Sequence, residues 1–323
     1  MPDAKPLQYR LVVRDGTDPA AERARVIEGL LAAPASIDPR YFYDELGCAL
    51  YGAICQLPEY YPTRTEAALF REHRAQMAGA LGPVRQFVDL GAGDCCKGQA
   101  WLPFLSPARY VAVDIAATEI ERSLARMAPD YPGMEMVGVV ADFAAGLPLD
   151  DVLDAGAALF FYPGSSIGNF HPQDARAFLA RIRALCASRP GSALLIGVDA
   201  KKGKDVLDAA YDDALGVTAA FNRNALRHLN ARFGFDFAPE AFAHRGFYSE
   251  ARGRVEMHLE ATGDQVVRLG DRERFFARGE RIHTENSYKY HAEEFARLLA
   301  EAGFASVRRW ESQGAGFFVF LAA

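Results

Sequence analysis

The stretch Phe87-Val-Asp-Leu-Gly-Ala-Gly-Asp94 decides the fold of this chain, because a short apolar run ends there in two glycines and a helical pattern follows. A strand, a glycine turn and a helix in this order are typical of a parallel α/β sheet, where the turn presents backbone N–H groups to a ligand. The turn continues as G-A-G-D-C-C-K-G, so it lacks the third glycine of G-x-G-x-x-G and does not match G-x-x-x-x-G-K-[ST]. Dinucleotide and triphosphate ligands are therefore disfavoured.

The pattern of apolar runs and helical stretches continues from this turn to about residue 200. Near-continuous apolar runs indicate strands that are buried on both faces of a sheet. We therefore predict an α/β fold with a doubly wound, mostly parallel sheet, completed by a helix at 291–301 and a C-terminal antiparallel hairpin. The strands are predicted at 86–90, 109–114, 134–142, 157–162, 192–198, 306–311 and 317–321.

The alternation breaks after residue 200. Residues 203–233 are helical in pattern, and the alternating runs 254–260 and 265–269 flank Gly263-Asp264, which predicts a hairpin. A segment of this length is too long for a simple crossover between strands. We therefore predict a smaller α+β substrate domain beside the sheet domain. The predicted substrate domain comprises 9–64 and 201–289, and the predicted cofactor domain comprises 65–200 and 290–323.

Composition excludes several functional classes. Of the 323 residues, 50% are hydrophobic and 24% are charged, which indicates a globular protein with a substantial core. The formal charge of −6, without a cluster of lysine and arginine, argues against nucleic acid or an anionic membrane as partner. Five cysteines without a C-x-x-C pair predict reduced thiols and no metal site. With no apolar leader in the sequence, we predict a cytoplasmic location and no obligate protein partner.

Three predicted strands end in residues suited to a nucleoside. Asp114 ends the second strand, where a carboxylate accepts two hydrogen bonds from ribose hydroxyls. Asp142 and Phe143 end the third strand and would supply a polar contact and an aromatic wall for adenine. With Gly91 and Gly93, they predict a site for S-adenosylmethionine (SAM), a nucleoside ligand without pyrophosphate. In the alternative interpretation, the glycines only form a tight turn and the aspartates only cap helices.

Several strings of polar and aromatic residues resemble the histidine Nα-methyltransferases of the ergothioneine pathway. That family trimethylates the α-amine of histidine to the betaine hercynine. The resemblance extends from Tyr41-Phe-Tyr-Asp44 through nearly the whole remaining chain. The strings that carry it are Leu57-Pro-Glu-Tyr-Tyr-Pro-Thr-Arg-Thr-Glu66, Gly164-Ser-Ser-Ile-Gly-Asn-Phe170, Ala210-Tyr-Asp-Asp213, Ala219-Ala-Phe-Asn-Arg-Asn224 and Thr284-Glu-Asn-Ser-Tyr-Lys-Tyr290.

The resemblance implies a sheet of the class I methyltransferase type, SAM as co-substrate and no metal. It implies that Glu285 and Ser287 contact the two imidazole nitrogens of L-histidine, and alternating residues of an extended segment do share a face. It implies a catalytic role for Tyr43, which would orient the amine. The implied cofactor residues are Gly91, Gly93, Lys97, Asp114, Asp142 and Phe143. The implied substrate residues are Tyr60, Gly164, Asn169, Tyr211, Met257, Glu285 and Ser287, with Asn169 and Tyr211 at the carboxylate.

Other interpretations remain open. The chain could methylate another amino acid or small amine, or it could sense SAM or histidine without turnover. A nicotinamide-dependent oxidoreductase is disfavoured by the missing third glycine. Lys289 and Arg64 are candidates for substrate contacts, but ion pairs with neighbouring acids are favoured for both. Cys95 and Cys96 stand where the family has small or charged residues, and packing at a helix start is the favoured interpretation.

Overall fold

The computed structural model describes residues 9–14, 18–143, 146–314 and 316–323. They form two compact units, which are described one at a time. The first unit comprises the described residues of Met1–Asp15, Arg64–Ala200 and Tyr290–Ala323, and the second comprises those of Gly16–Thr63 and Lys201–Lys289.

The regular elements of the described residues are numbered in chain order. The strands are β1 (Tyr9–Val13), β2 (Ala35–Ser36), β3 (Gln86–Leu90), β4 (Arg109–Asp114), β5 (Glu135–Val140), β6 (Ala158–Tyr162), β7 (Ala193–Asp199), β8 (Phe242–Ser249), β9 (Arg254–Ala261), β10 (Gln265–Leu269), β11 (Arg272–Phe276), β12 (Arg281–Tyr288), β13 (Val307–Glu311) and β14 (Phe317–Ala322). The α-helices are α1 (Pro19–Leu31), α2 (Glu45–Ile54), α3 (Tyr61–Leu81), α4 (Cys96–Gln99), α5 (Leu102–Leu105), α6 (Ala117–Met127), α7 (Pro172–Ala187), α8 (Lys204–Tyr211), α9 (Val217–Phe233) and α10 (Ala292–Glu301).

The first unit is built on an eight-stranded sheet in the order β1-β5-β4-β3-β6-β7-β14-β13. Strands β1, β5, β4, β3, β6 and β7 run parallel to one another. Strand β14 runs antiparallel to both β7 and β13. The predicted fold class, a doubly wound and mostly parallel sheet with a C-terminal antiparallel hairpin, is confirmed.

The strands at the centre of this sheet are buried along their whole length, as their apolar sequences require. Every residue of β3, β6 and β7 is buried. Helix α6 covers the sheet with Ile120, Leu124 and Met127, which recur at the spacing of one helical face and are fully buried. The polar turns between strands and helices are thereby left at the ends of the sheet.

The N-terminal strand differs from the sequence prediction. Residues 9–64 were predicted as part of the substrate domain, whereas β1 pairs in parallel with β5, with Tyr9 opposite Met136 and Val13 opposite Val140. Strand β5 would otherwise be the edge of the sheet, with unpaired backbone groups. Pairing with β1 satisfies those groups, so this short segment belongs to the first unit.

The second unit contains a four-stranded sheet in the order β2-β12-β9-β8 and a separate pair, β10-β11. The predicted hairpin between 254–260 and 265–269 is wrong. Strand β9 has β8 on one side and β12 on the other, so it has no free edge for β10. Instead, β10 pairs with β11 across Gly270-Asp271, with Leu269 opposite Arg272. Within the described residues, no helix combines the length and the apolar character needed to cross a membrane.

Two aspartates and an asparagine of the family-like strings hold helices of the second unit in place. Asp213 caps α9, because its two carboxylate oxygens accept hydrogen bonds from Val217 N (3.0 Å) and Thr218 N (2.7 Å). Asn224 donates to Asp44 Oδ1 (2.7 Å), which also accepts from Gly47 N at the start of α2. Part of the sequence signal in these strings is therefore architectural.

Candidate functional site

The turn after β3 brings backbone N–H groups to the carboxyl end of the first unit's sheet. Gly91 and Gly93 have φ of +68° and +50°, a region that disfavours residues with a Cβ. The N–H of Gly91 donates to the carbonyl of Val113 (2.8 Å) on the neighbouring strand β4. The turn is thus fixed to the next strand, as a preformed ligand site requires.

Asp114 at the end of β4 is fixed to the same turn. Its Oδ2 accepts from the N–H of Gly93 (2.9 Å), and its Oδ1 accepts from the N–H of Ala116 (3.0 Å). Burial raises the pKa of Asp114, and these backbone N–H groups act in the opposite direction. A carboxylate has about four acceptor positions, so acceptor capacity remains for a ligand hydroxyl beside these backbone groups. Asp114 therefore both caps the turn and retains acceptors for ribose.

An aromatic wall lies beside the turn. The ring of Phe143 lies 5.8 Å from those of Tyr162 and Phe178, measured between centroids. A Cβ placed on Gly91 would lie 3.8 Å from Phe143 Cζ, so the glycine and the ring border one space. Asp142 precedes this ring, two residues after the end of β5. The structure thus brings Gly91, Asp114 and Phe143 together, as predicted for the nucleoside.

Lys97 of α4 meets a carboxylate that the sequence prediction omitted. Its Nζ lies 2.6 Å from Oε2 of Glu66, which is only 1% exposed. The other oxygen, Oε1, accepts from the N–H of Gly164 (2.7 Å). A Cβ on Gly164 would lie 3.2 Å from Lys97 Nζ, so a predicted cofactor residue and a predicted substrate residue are neighbours. Glu66 ends the family-like string at 57–66, and that was the only signal for it.

Two more polar residues of the first unit lie close to this turn or to Gly164. Asn169 ends a 3₁₀ turn, Ser166–Asn169, and the preceding Ser165 accepts from Asp199 N (2.9 Å) at the end of β7.

Asp89 of β3 is fully enclosed and accepts from the hydroxyl of Tyr110 (2.7 Å). Burial raises the pKa of Asp89 to about 7. Asp89 is therefore a carboxyl whose charge changes near neutral pH.

In the second unit, three predicted substrate residues and the predicted catalytic residue lie in or against one apolar cluster. Tyr60, Tyr211 and Met257 are buried in it, and Tyr43 packs against it half-buried. The ring centroids of Tyr60 and Tyr211 are 6.0 Å apart. The ring of Tyr43 lies 6.0 Å from that of Tyr51, which also packs against the cluster and was not among the predicted residues. These side chains come from distant segments of the sequence.

Glu285 lies on β12 directly opposite Met257 of β9. A register shift after His283 precedes this pair, so Thr284 is the extra residue of a bulge. Burial raises the pKa of Glu285 to about 7, and the nearby charge of Lys289 lowers it. A buried carboxyl that titrates near neutrality is typical of a functional site.

Ser287 and Tyr211 form a hydrogen-bonded group with a buried lysine. The hydroxyl oxygens of Tyr211 and Ser287 are 2.8 Å apart. Lys289 Nζ lies 2.9 Å from each of them and donates to both. The predicted ion pair of Lys289 did not include these hydroxyl partners. The signal was present, because Glu285, Ser287 and Lys289 follow the two-residue period of one strand face.

The backbone at Tyr211 is held from the adjacent strand β8. His244 Nδ1 accepts from Asn222 Nδ2 (2.8 Å), which leaves the Nε2 hydrogen to donate to the carbonyl of Tyr211 (2.8 Å). Gly246 allows close approach there, since a Cβ at this position would lie 2.3 Å from the same carbonyl oxygen. The backbone that carries the Tyr211 side chain is therefore held by His244 and Gly246 of β8.

Gly246→Ala is expected to destabilise the protein by about 1–3 kcal/mol, because the new methyl group overlaps the Tyr211 backbone. Gly52→Ala is the matched control, since a Cβ at this helical glycine meets nothing within 4 Å. The control should raise stability by about 0.5–1 kcal/mol. Urea denaturation of both variants measures the difference, and equal midpoints would contradict the close packing at Gly246.

No group of three or more histidine, cysteine, aspartate or glutamate side chains within the described residues is arranged to hold a metal ion. The cysteines do not suggest another chemistry either. Burial raises the pKa of Cys95 and of Cys96, so neither thiol is activated as a nucleophile. Cys95 is buried, in keeping with the packing interpretation, whereas Cys96 is exposed and has no such role.

Comparisons with known proteins agree with these observations. The family model described as "Histidine-specific methyltransferase, SAM-dependent" matches residues 22–323. The chain is 38% identical to the histidine N-alpha-methyltransferase of Mycolicibacterium smegmatis, over 94% of this chain and 96% of that protein. It is 37% identical to the protein of the same name from Mycobacterium tuberculosis, over 94% and 95%. Ergothioneine biosynthesis protein 1 of Neurospora crassa is 31% identical over 86% of this chain and 32% of its own length.

Proposed function

We propose that this chain, which belongs to the family of SAM-dependent, histidine-specific methyltransferases, transfers methyl groups from SAM to the α-amine of L-histidine. The family resemblance noted in the sequence is thereby confirmed. The single observation that carries the choice of substrate is Glu285, a buried carboxyl two residues before the hydroxyl of Ser287 on β12. A carboxylate and a hydroxyl match the two nitrogens of an imidazole, and a phenyl or alkyl side chain would leave them unpaired.

The first unit offers the groups that SAM requires. The free lone pairs of Asp114 suit the ribose hydroxyls, and the Phe143 ring suits the adenine. Gly91 and Gly93 leave space for the ligand beside these groups, and the ion pair of Lys97 with Glu66 lies beside Gly164. When bound, SAM supplies an electrophilic methyl group on its sulfonium. We assign Asp142 to the same site on the family resemblance.

We assign recognition of the amino acid chiefly to the second unit. Glu285 and Ser287 would bind the imidazole, and Tyr211 would donate to the carboxylate. Tyr60 and Met257 would line the apolar surface, since both lie in the cluster that contains Tyr211. From the first unit, Asn169 and Gly164 are assigned to the substrate on the family resemblance.

Catalysis in this proposal rests on positioning. An α-amine has a reference pKa of about 8, so a usable fraction is unprotonated and nucleophilic near pH 7. In-line displacement then requires chiefly that the amine and the methyl group be aligned. We propose that Tyr43 orients the amine as a hydrogen-bond acceptor.

The surroundings of Tyr43 suit a product that gains methyl groups. Tyr43 lies 6.0 Å from the ring of Tyr51 and 5.8 Å from that of Phe221. Aromatic faces attract an alkylated ammonium without needing its N–H groups. We therefore propose that methylation continues to trimethylhistidine, hercynine, as the first step of ergothioneine biosynthesis. The cytoplasmic location and the absence of a nucleic-acid partner remain sequence predictions.

Mass spectrometry of L-histidine incubated with the protein and SAM tests this function. The expected product carries three added methyl groups on the α-nitrogen, with three equivalents of S-adenosylhomocysteine (SAH) released. Parallel incubations with a panel of amino acids and small amines provide the control. Methylation of another amine in place of histidine would contradict the substrate assignment, and binding without release of SAH would favour a sensor.

A further inference from the structure

Lys289 is the most deeply buried lysine in the described part of the chain, with 1% of its surface exposed. Burying an ammonium is costly unless its hydrogens find acceptors and its charge is balanced. Two of the acceptors are the hydroxyls of Tyr211 and Ser287, each 2.9 Å away. A lysine held there at such a cost requires an explanation beyond packing.

Counting donors shows what this arrangement does to the two hydroxyls. An ammonium has only donors, so both hydroxyl oxygens accept from Lys289. The contact of 2.8 Å between Tyr211 Oη and Ser287 Oγ uses the hydrogen of one hydroxyl. The hydrogen of the other hydroxyl is left to donate to a further acceptor. Because each hydroxyl already accepts from Lys289, its O–H is polarised and becomes a stronger donor.

The charge of the lysine points to the kind of acceptor. The buried Glu285 is the neighbouring acid, and its pKa of about 7 means that it is only partly ionised at neutral pH. The positive charge of Lys289 lies in a buried environment, where electrostatic interactions are strong. An anionic ligand group beside the two hydroxyls would therefore be attracted by the lysine as well as by the remaining O–H donor.

We propose that Lys289 is a positioning residue for the amino-acid carboxylate: it fixes the hydroxyl hydrogens of Tyr211 and Ser287 and supplies the positive charge that the carboxylate requires. This inference rests on the proposed function, because it takes histidine as the ligand. It adds a residue that couples the predicted carboxylate contact, Tyr211, to the predicted imidazole contact, Ser287.

Lys289→Met tests the inference by calorimetry with two ligands, L-histidine and L-histidinamide, on the full chain in the presence of SAH. The variant removes the charge and the donors from a side chain of similar length. The dissociation constant of L-histidine should rise by about 10- to 100-fold. That of L-histidinamide, which lacks the carboxylate, should rise by less than about threefold. A purely structural role would weaken both ligands equally.

Lys204→Met is the matched control, because Lys204 is exposed and its ion pair with Asp208 lies on the helix surface. The control should bind both ligands as the wild type does. Urea denaturation of the full chain reports whether Lys289→Met is folded, and if it is not, Lys289→Gln is measured by the same ratio. Equal losses for the two ligands, or unchanged binding of histidine, would overturn this inference alone. Failure of the wild type to bind histidine would overturn the proposed function as well.

Discussion

Glu285→Gln is expected to weaken L-histidine binding by about 10- to 100-fold and to leave SAH binding unchanged. The glutamine has nearly the same shape as the glutamate but carries no charge. It therefore removes the strong acceptor for an imidazole N–H without opening a cavity. SAH is proposed to bind the first unit, so its affinity provides an internal reference. Calorimetric titrations of both ligands measure the two effects.

The same substitution should change how stability depends on pH. The reference pKa of Glu285 is 4.5, and burial raises it to about 7 in the folded protein. Between these pH values the unfolded chain ionises first, so ionisation favours unfolding and the free energy of unfolding falls as pH rises. The full loss amounts to about 3 kcal/mol for such a shift. Glutamine has no such loss, so the variant should gain stability over the wild type between pH 5 and pH 8.

Urea denaturation of both proteins at pH 5 and pH 8 measures this gain. The wild type and the variant share the buried Asp89, whose pKa is also about 7, so its contribution cancels in the comparison. Glu260→Gln on β9 is the control, because its carboxylate pairs at the surface with Arg245 and Arg281. Full histidine affinity in Glu285→Gln would contradict the imidazole assignment. A stability difference independent of pH would contradict the raised pKa.

The cofactor side of the site followed from physical rules applied to the sequence. In a parallel sheet the carboxyl ends of neighbouring strands meet at one edge, so Gly91, Asp114 and Phe143 had to converge. The structure shows that this convergence also has an architectural purpose, since Asp114 caps the turn. Glu66 escaped prediction because its contact with Gly164 joins residues far apart in the sequence. No periodic pattern marks a contact of that kind.

The substrate side could be predicted only through the family resemblance. Its residues come from β9, β12, α8 and the N-terminal segment, and single-sequence rules do not pair such distant elements. For Lys289 the sequence favours an ion pair with a neighbouring acid, and its two hydroxyl partners were not predicted because lysine is rarely buried. The two-residue spacing of Glu285, Ser287 and Lys289 was the signal for those partners.

The wrong hairpin shows a different limit. Gly263-Asp264 and Gly270-Asp271 are identical dipeptides, and both follow alternating runs. Only the second forms a two-residue turn between paired strands, since β9 is already paired on both edges. Both dipeptides lie between strands, as their turn-forming residues favour, but the pairing of the strands in the folded protein decides which dipeptide closes a hairpin.

Asp114→Asn is expected to raise the dissociation constant of SAH by about 10-fold or more. Both oxygens of the carboxylate accept backbone N–H groups, from Gly93 and from Ala116. An asparagine has only one acceptor oxygen, so one of these N–H groups would face an NH₂ group. The ribose would also lose one of its two proposed acceptors. Calorimetric titration with SAH measures the loss.

Glu121→Gln in the adjacent helix α6 is the matched control, because Glu121 is exposed and the substitution makes the same change in charge. It should bind SAH as the wild type does. Thermal unfolding without ligand separates the two roles of Asp114. If Asp114 only caps the turn, Asp114→Asn will lower the melting temperature but retain SAH affinity within about twofold, because the substitution would then remove no contact with the ligand. If SAH affinity instead falls by more than the loss of stability can explain, Asp114 is a ligand of the ribose.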